Sequence, residues 1–314
     1  RDMTYFKSQE LANVLWAFAI LNFPGHGLGS NISPYMIKAT VGSMEDLAAT
    51  GIARAYKRQE LANIAWSCAV FNEYPSSLMK LLYCGLVGIG NERDPQHLRN
   101  CFRDGGLQRE AIMSVIYLQL ALELEGEAND LTLPENFPTG WSQQALSGSG
   151  GNLGDMGFGE LKLTTSKLQR DVSAALGRIG FDYVEEHVIP LTELLENGGL
   201  GVANAPIEVI SIDIANVDSR IAIEVDGPAH YVADIESVPS EGGYAKVNNG
   251  RMQYYFKMND DRHDLNGPTA LKQRLLQQMG WKAINIPFWE WFDLNGDEAL
   301  EEEYCRRLVG ELVH

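Results

Sequence analysis

The sequence predicts a chain of two parts, an α-helical repeat region followed by a mixed α/β domain, within 314 residues. Three observations support this division. A helical segment recurs further along the chain, a Gly- and Ser-rich stretch follows, and the remaining sequence alternates between strand-like and helix-like periods. We therefore expect a helical repeat domain over residues 1–130, a linker over 131–160 and an α/β domain over 161–314.

The helical prediction depends on an internal repeat. The segment YFKSQELANVLWAFAILNFP (5–24) is echoed by YKRQELANIAWSCAVFNEYP (56–75), so that Trp16 corresponds to Trp66. Apolar residues fall at helical spacing in both copies, and a proline ends each copy. Further helices are expected at 33–55 and 107–126. Repetition at this period predicts a stacked α-solenoid with a concave surface for RNA or peptide, although a helical spacer is the alternative.

The linker prediction comes from composition. Eight of the thirteen residues in SGSGGNLGDMGFG (147–159) are Gly or Ser. Such a stretch is typical of a flexible linker or surface loop, and the domain boundary is expected there.

The α/β prediction comes from the order of elements. Period and capping signals predict a helix opened by Ser166, three strands, a helix, a strand and a closing helix, at 166–180, 181–190, 207–217, 219–227, 268–280, the first half of 281–291, and 297–312. Consecutive strands followed by a helical crossover indicate a mixed sheet with helices on its faces.

Composition limits the function classes. The chain has 25 basic and 42 acidic residues, a formal charge of −17. Residues 131–314 alone hold 14 basic and 28 acidic residues. A broad basic surface that coats nucleic acid is therefore excluded, and an RNA role would need a local basic or aromatic patch. No apolar run is long enough to predict a membrane span.

The cysteines and the first residue add two expectations. The four cysteines show no metal-site spacing, which favours buried free thiols in a reducing compartment. The chain begins at Arg1 without an initiator methionine, so we expect a fragment or a processed form in which a targeting peptide is not seen.

A group of carboxylates marks the segment IAIEVDGPAH (221–230). Strand periodicity places Glu224 and Asp226 on one face, and Asp213 lies on the preceding strand. If those strands pair, three carboxylates converge and could hold Mg²⁺ or Mn²⁺ for phosphodiester hydrolysis, with His230 as an acid/base or ligand. The alternative is that Asp213 caps a bend, Glu224 and Asp226 accept backbone N–H bonds, and Gly-Pro forms an ordinary turn.

The run from Ile221 to Trp291 resembles a RAP domain. The matching pieces are E-V-D-G-P-x-H, the Gly-x-Thr that opens the following helix, the Gly-Trp before the last strand, and a closing Pro followed by aromatics. The repeated LANVLWAFA and LANIAWSCA are similar to octotricopeptide-type repeats and to the repeats of Fas-activated serine/threonine kinase-like proteins.

The resemblance implies RNA binding in a mitochondrion or plastid, with roles in transcript stability, processing, translation or ribosome assembly. It also implies a restriction-endonuclease-like fold, in which an Asp and a (D/E)-x-K pair hold a metal. Carried over, Asp213 and Glu224 are the two carboxylates, but Asp226 occupies the lysine position. No ammonium there activates water. The E-x-D-G-x-x-H form is also similar to very-short-patch-repair-type nucleases, which work without that lysine.

A long insertion (232–267) departs from the RAP pattern. It contains RMQYYFKMN (251–259), whose aromatic and basic residues suit stacking on unpaired bases, although an extra hairpin with a solvated tip is the alternative. Two cations on the following helix complete the candidate RNA contacts, which are Arg251, Tyr254, Tyr255, Lys257, Lys272 and Arg274.

Three functional hypotheses follow. The first is an organellar RNA-binding protein whose RAP domain binds RNA without cleavage and without a cofactor. The second is a Mg²⁺- or Mn²⁺-dependent ribonuclease that uses Asp213, Glu224, Asp226 and His230. The third is an interaction subunit of a large organellar complex, such as a mitochondrial ribosome.

Overall fold

A computed structural model describes residues 6–22, 32–45, 55–87, 109–126, 166–190, 208–232, 244–248, 251–255 and 264–313. The predicted linker lies outside these ranges. The chain divides into two compact units, residues 1–163 with 188–210, and residues 164–187 with 211–314. Among the helices in the described ranges, none is long and apolar enough to cross a membrane.

The first unit is helical. Its described helices are α1 (Ser8–Ile20), α2 (Ile32–Glu45), α3 (Arg58–Phe71), α4 (Ser76–Val87) and α5 (Arg109–Leu124). The sequence predicted each of these except α4, and the helix predicted at 33–55 is described only to Glu45 as α2.

The two copies of the repeat, α1 and α3, begin and end alike. The Glu10 carboxylate accepts the Lys7 backbone N–H, and Glu60 accepts that of Lys57, each at 2.9 Å. Each helix is followed by an asparagine in the left-handed region, with φ of 48° at residue 22 and 57° at residue 72. The repeated Glu and Asn residues are therefore start and stop signals, which explains why they recur with the apolar stripe.

Helix α3 lies between α1 and α5 and packs against both. Helix α2 packs on α1 and α4, and α4 packs on α3. The matched tryptophans differ in exposure between α1 and α3, since Trp16 is 37% exposed and Trp66 is 7% exposed. Neighbours on two sides bury α3 more completely than α1, although the two helices carry the same sequence pattern.

From residue 166 onward the described chain forms a small mixed sheet with helices. The elements are α6 (Lys167–Arg178), β1 (Val184–Pro190), β2 (Glu208–Asn216), β3 (Ile221–Asp226), β4 (Tyr244–Asn248), β5 (Arg251–Tyr255), α7 (Gly267–Gln278), β6 (Lys282–Pro287), α8 (Phe288–Asp293) and α9 (Glu298–Val313). The sheet order is β1-β2-β3-β6, with β3 antiparallel to β2 and parallel to β6. Strands β4 and β5 form a separate hairpin inside the predicted insertion.

Strand β3 is the centre of this unit, because all six of its residues are buried. Ile221, Ile223 and Val225 belong to an apolar core that includes residues of α6, β6, α8 and α9. Period-two geometry turns Glu224 and Asp226 to the other face. There Lys272 of α7 contacts Glu224, whereas Asp226 is contacted by the turn after β3 and by Asn285 of β6. Glu224 is 4% and Asp226 1% exposed, so these carboxylates are offset by protein groups rather than by bulk water.

Two cysteines lie inside the packed regions of the described chain. Cys68 and Cys305 are buried free thiols. Burial, together with nearby acidic groups, raises the pKa of each thiol to about 12. These two thiols are therefore protonated and unreactive at neutral pH.

Candidate functional site

Asp213 binds the backbone of the neighbouring strand. The β2–β3 pairing sets Ile214 opposite Ile223, and one step further along the same register is Asp213 opposite Glu224. There the Asp213 carboxylate oxygen Oδ2 accepts the backbone N–H of Val225 at 2.8 Å. The side chain thus satisfies a β3 donor at the point where the backbone pairing ends.

Helix α7 is tied to the turn that follows β3. Asn266 caps α7, since its Oδ1 accepts the Thr269 N–H at 3.0 Å, and its Nδ2 donates to the Ala229 carbonyl at 2.7 Å. This double contact fixes the start of α7 beside the 3₁₀ turn Pro228–His230. One consequence is that the first turns of α7 project side chains onto the carboxylate face of β3.

Lys272 of α7 forms an ion pair with Glu224. The Lys272 Nζ lies 2.5 Å from the Glu224 Oε2, although the two residues are 48 positions apart. The lysine side chain is 28% exposed. The other carboxylate oxygen of Glu224, Oε1, is buried without a hydrogen-bond partner in the described part of the chain.

The Lys272 ammonium interacts electrostatically with several carboxylates at this face. Burial raises the pKa of Glu224 to about 7, and Asp213 and Asp226 add to this rise while Lys272 opposes it. Burial lowers the pKa of Lys272, but the surrounding carboxylates outweigh burial and hold it above its usual value. The lysine is therefore charged at neutral pH, and burial makes Glu224 harder to ionise than an ordinary carboxyl group.

Glu186 is a fourth carboxylate at this face, and sequence reasoning missed it. Gln169 of α6 donates from its Nε2 to the Glu186 Oε1 at 2.9 Å and to the Asp213 backbone carbonyl at 3.1 Å. Burial raises the pKa of Glu186, and Asp213 raises it further. The residue has a φ of 53° within β1, a departure from strand geometry that redirects its side chain. The sequence offered one signal for this placement, which is that Glu186 lies in β1, the strand that pairs with β2.

Asp226 is an acceptor for three side chains. Its Oδ1 lies 3.2 Å from the His230 Nδ1. Its Oδ2 accepts the Tyr231 hydroxyl at 3.2 Å and the Asn285 amide of β6 at 2.5 Å. The His230 Nδ1 is also 3.1 Å from the Thr269 Oγ1. The carboxylate at the lysine position of the nuclease pattern thus organises neighbouring side chains.

The geometry gives a direct test of whether these residues fit a metal ion. Within the described residues, no three His, Cys, Asp or Glu side chains come together in a way that could hold one. Asp213 and Asp226 are bonded to protein donors, and an ammonium already lies against Glu224. This arrangement does not fit a metal. The metal assignment of the three carboxylates stays a prediction.

The candidate RNA contacts fall into two groups. Arg251, Tyr254 and Tyr255 lie on β5, where the strand pairing is described. Lys257 lies outside the described residues. Both α7 cations are partly exposed, and Lys272 also forms an ion pair with Glu224. The structure therefore brings Lys272 to the carboxylates, which the sequence did not indicate.

Most of β3, all of β6, the crossover helix α7 and the Asp226 contacts lie within a known domain. Residues 223–308, from β3 to α9, match the family model of the RAP domain. The chain therefore contains a RAP domain. The RAP domain family is associated with RNA binding in organelles. This confirms the RAP-domain resemblance seen in the sequence, and the match lies within the α/β unit. The likeness of the helical repeats to octotricopeptide-type repeats stays a prediction.

A curated relative carries the same domain. The RAP domain-containing protein, chloroplastic, of Oryza sativa subsp. japonica is 24% identical over 146 residues. The alignment covers 46% of this chain and 16% of the relative, so the chain spans less than a fifth of that protein's length.

Proposed function

We propose that this chain is part of an organellar RNA-binding protein whose RAP domain holds RNA without cutting it. The observation that carries the proposal is the RAP match over residues 223–308. The engagement of Asp226 with three protein side chains supports binding over cleavage, because that residue stands where a hydrolytic lysine is expected. The chloroplastic relative favours a plastid, with a mitochondrion as the alternative. Transcript stability, processing, translation and ribosome assembly are the roles that this activity would serve.

The finer fold assignments belong to the same proposal. We infer that the first unit is an α-solenoid, since α1, α3 and α5 pack in a row and the repeat begins and ends alike in both copies. We also infer a restriction-endonuclease-like fold for the second unit, since carboxylates gather where β2 and β3 meet in a mixed sheet.

Salt-dependent RNA binding tests the proposal. Fluorescence anisotropy with labelled single-stranded RNA, between roughly 50 and 200 mM salt, should give an affinity that falls as salt rises. Arg274→Ala should lower the slope of log affinity against log salt by about one, because one phosphate contact is lost. Arg274 is chosen over Lys272 because removing Lys272 would also remove the countercharge of buried Glu224.

Exposed Lys167 on α6 provides the matched control for that experiment. Lys167→Ala should leave the salt slope as it is in the unmodified chain. RNA binding that is absent, or that does not respond to salt, would contradict the proposal and favour the interaction-subunit hypothesis.

A metal-dependent ribonuclease is the second candidate, because of two features of Glu224. The Lys272 Nζ stands beside Glu224 and so supplies an ammonium that position 226 lacks. The unpartnered Glu224 Oε1 adds an acceptor with no protein donor among the described residues. Both groups would have to rearrange before a metal could bind, because the arrangement described here does not fit one.

Cleavage assays decide this candidate. Labelled RNA incubated with Mg²⁺ or Mn²⁺ should be cut by the unmodified chain and not by Glu224→Gln, which keeps the side-chain shape but loses the charge. Asp218→Asn, in the exposed turn before β3, is the control that should keep any activity. Intact RNA after incubation with the unmodified chain and either metal would rule out the nuclease.

A further inference from the structure

We propose that the RAP domain contacts an unpaired ribonucleotide through a surface formed by His230, Tyr231, Trp289 and Phe292. We call these four residues the His230 surface. The inference depends on the proposed RNA binding and adds where the RNA lies and which groups of the nucleotide are recognised. None of the four belongs to the RNA contacts that the sequence suggested.

The short helix α8 presents aromatic residues on two sides. Phe288 and Trp291 are buried and contribute to packing. Trp289 is partly exposed, and Phe292 is 54% exposed. Residues three apart share a helix side, so Trp289 and Phe292 face outward together. Core packing accounts for the burial of Phe288 and Trp291, whereas Phe292 and part of Trp289 stay open to solvent.

The outward aromatic rings are held in fixed relation to one another. The Tyr231 ring stands edge-on to Trp289, with ring centroids 4.5 Å apart. Buried Phe288 lies 5.1 Å from Trp289 and 6.0 Å from Phe292, also edge-on. Rings that are already ordered lose little conformational entropy when a base stacks on them. The aromatic part of the surface is therefore preorganised for stacking.

His230 supplies the polar part of the surface. Its side chain is 45% exposed, and its Nδ1 faces Asp226 and Thr269. Because Nδ1 is engaged inside the domain, Nε2 is the nitrogen available to a ligand. Neutral imidazole with its proton on Nδ1 accepts a hydrogen bond from a ribose 2′-hydroxyl through Nε2, and the protonated ring donates to a phosphate.

One buried carboxylate connects the two parts. The Oδ1 of Asp226 holds His230, and its Oδ2 accepts the hydroxyl of Tyr231, whose ring contacts Trp289. Asp226 is thus a positioning residue that sets the imidazole and the aromatic rings in one arrangement. This role explains a buried acidic residue at the end of β3 without invoking a metal.

Charge favours stacking as the mode of binding. Residues 131–314 carry 14 basic and 28 acidic groups, so this half of the chain repels a phosphate backbone that lies along it. Stacking on aromatic rings needs no positive charge, and every base offers a face for it. An unpaired nucleotide therefore suits this surface better than a duplex, whose bases are stacked on each other.

Binding and fluorescence measurements on the whole chain test the inference. With a fluorescein-labelled single-stranded RNA, Phe292→Ala should raise the Kd about tenfold, since one stacked base is lost. Leu300→Ala removes a similarly exposed apolar side chain from α9 and should change the Kd less than about twofold. Trp289→Phe keeps a stacking ring, so the Kd should change little, but RNA should quench less of the chain's tryptophan fluorescence.

The outcomes separate this inference from the function on which it depends. If the unmodified chain binds RNA, and Phe292→Ala and Trp289→Phe leave both Kd and quenching unchanged, the His230 surface is wrong and RNA binding stands. If the unmodified chain binds no RNA, both are wrong. If Phe292→Ala weakens a protein complex and leaves RNA binding intact, the surface docks protein, which also overturns the inference.

Discussion

Lys272→Met is expected to destabilise the RAP domain by about 2–4 kcal/mol at pH 8, because it leaves Glu224 buried without a countercharge. Methionine preserves much of the packing of the lysine stem, so the change isolates the ammonium. The 28% exposure of Lys272 places the loss below that of a fully buried pair. Urea denaturation would measure it.

The loss should be smaller at pH 5, and the sign follows from the pKa of Glu224. Its folded value is about 7 against an ordinary 4.5, so between these values the folded chain binds more protons than the unfolded chain. Stability from this group is therefore fully present below about pH 4.5 and declines as pH rises through 7. Without Lys272 the pKa of Glu224 rises further, so the variant suffers most at high pH.

A surface lysine provides the control for this pair of measurements. Lys167→Met removes an exposed cation on α6 and should change stability by less than about 0.5 kcal/mol at either pH. An equal loss at pH 5 and pH 8 in Lys272→Met would show that packing, and not the charge of Glu224, accounts for the effect.

Asp226→Ala is expected to cost about 3–4 kcal/mol, the sum of a lost buried acceptor and the donors that it leaves unpaired. The Tyr231 hydroxyl and the Asn285 amide both donate to this carboxylate, and His230 lies against it. Asp226→Asn should cost less, since it keeps the volume and one acceptor oxygen. Urea denaturation gives the free energy, and near-ultraviolet circular dichroism reports whether the aromatic rings around Tyr231 lose their order.

Asp218→Ala is the matched control, because Asp218 lies in the exposed turn between β2 and β3. It should be within about 0.5 kcal/mol of the unmodified chain and should keep the near-ultraviolet spectrum. If Asp226→Ala proves as stable as this control, the positioning role assigned to Asp226 fails.

The sequence predicted much of the local structure, since the necessary signals are close together in the chain. Alternation showed that Glu224 and Asp226 share one face of β3, and the order of motifs identified the RAP domain. Ser166 was predicted to open a helix, and its Oγ accepts the Gln169 N–H at 3.0 Å. Caps and strand periods depend on residues a few positions apart, so one sequence is enough to read them.

Prediction was weaker where an element is short or a signal is ambiguous. Helix α8 was not predicted, because six residues are too few for a helical period to stand out. Glu186 was passed over because a glutamate in an alternating strand normally faces water. It lies near enough to Asp213 and Lys272 for their charges to shift its pKa in opposite directions.

By itself the sequence determined the carboxylates, their shared face and the family of the domain that carries them. Only the tertiary structure decided what neutralises them. Parallel pairing of β3 with β6 requires a crossover, and α7 is that crossover, so Lys272 is brought onto Glu224 from 48 positions away. The contacts of Asp226 also depend on the tertiary structure. Asn285 reaches it from β6, and the turn after β3 places His230 against it. Contacts of this kind depend on how strands and helices pack, and the spacing of residues along one chain does not contain that information.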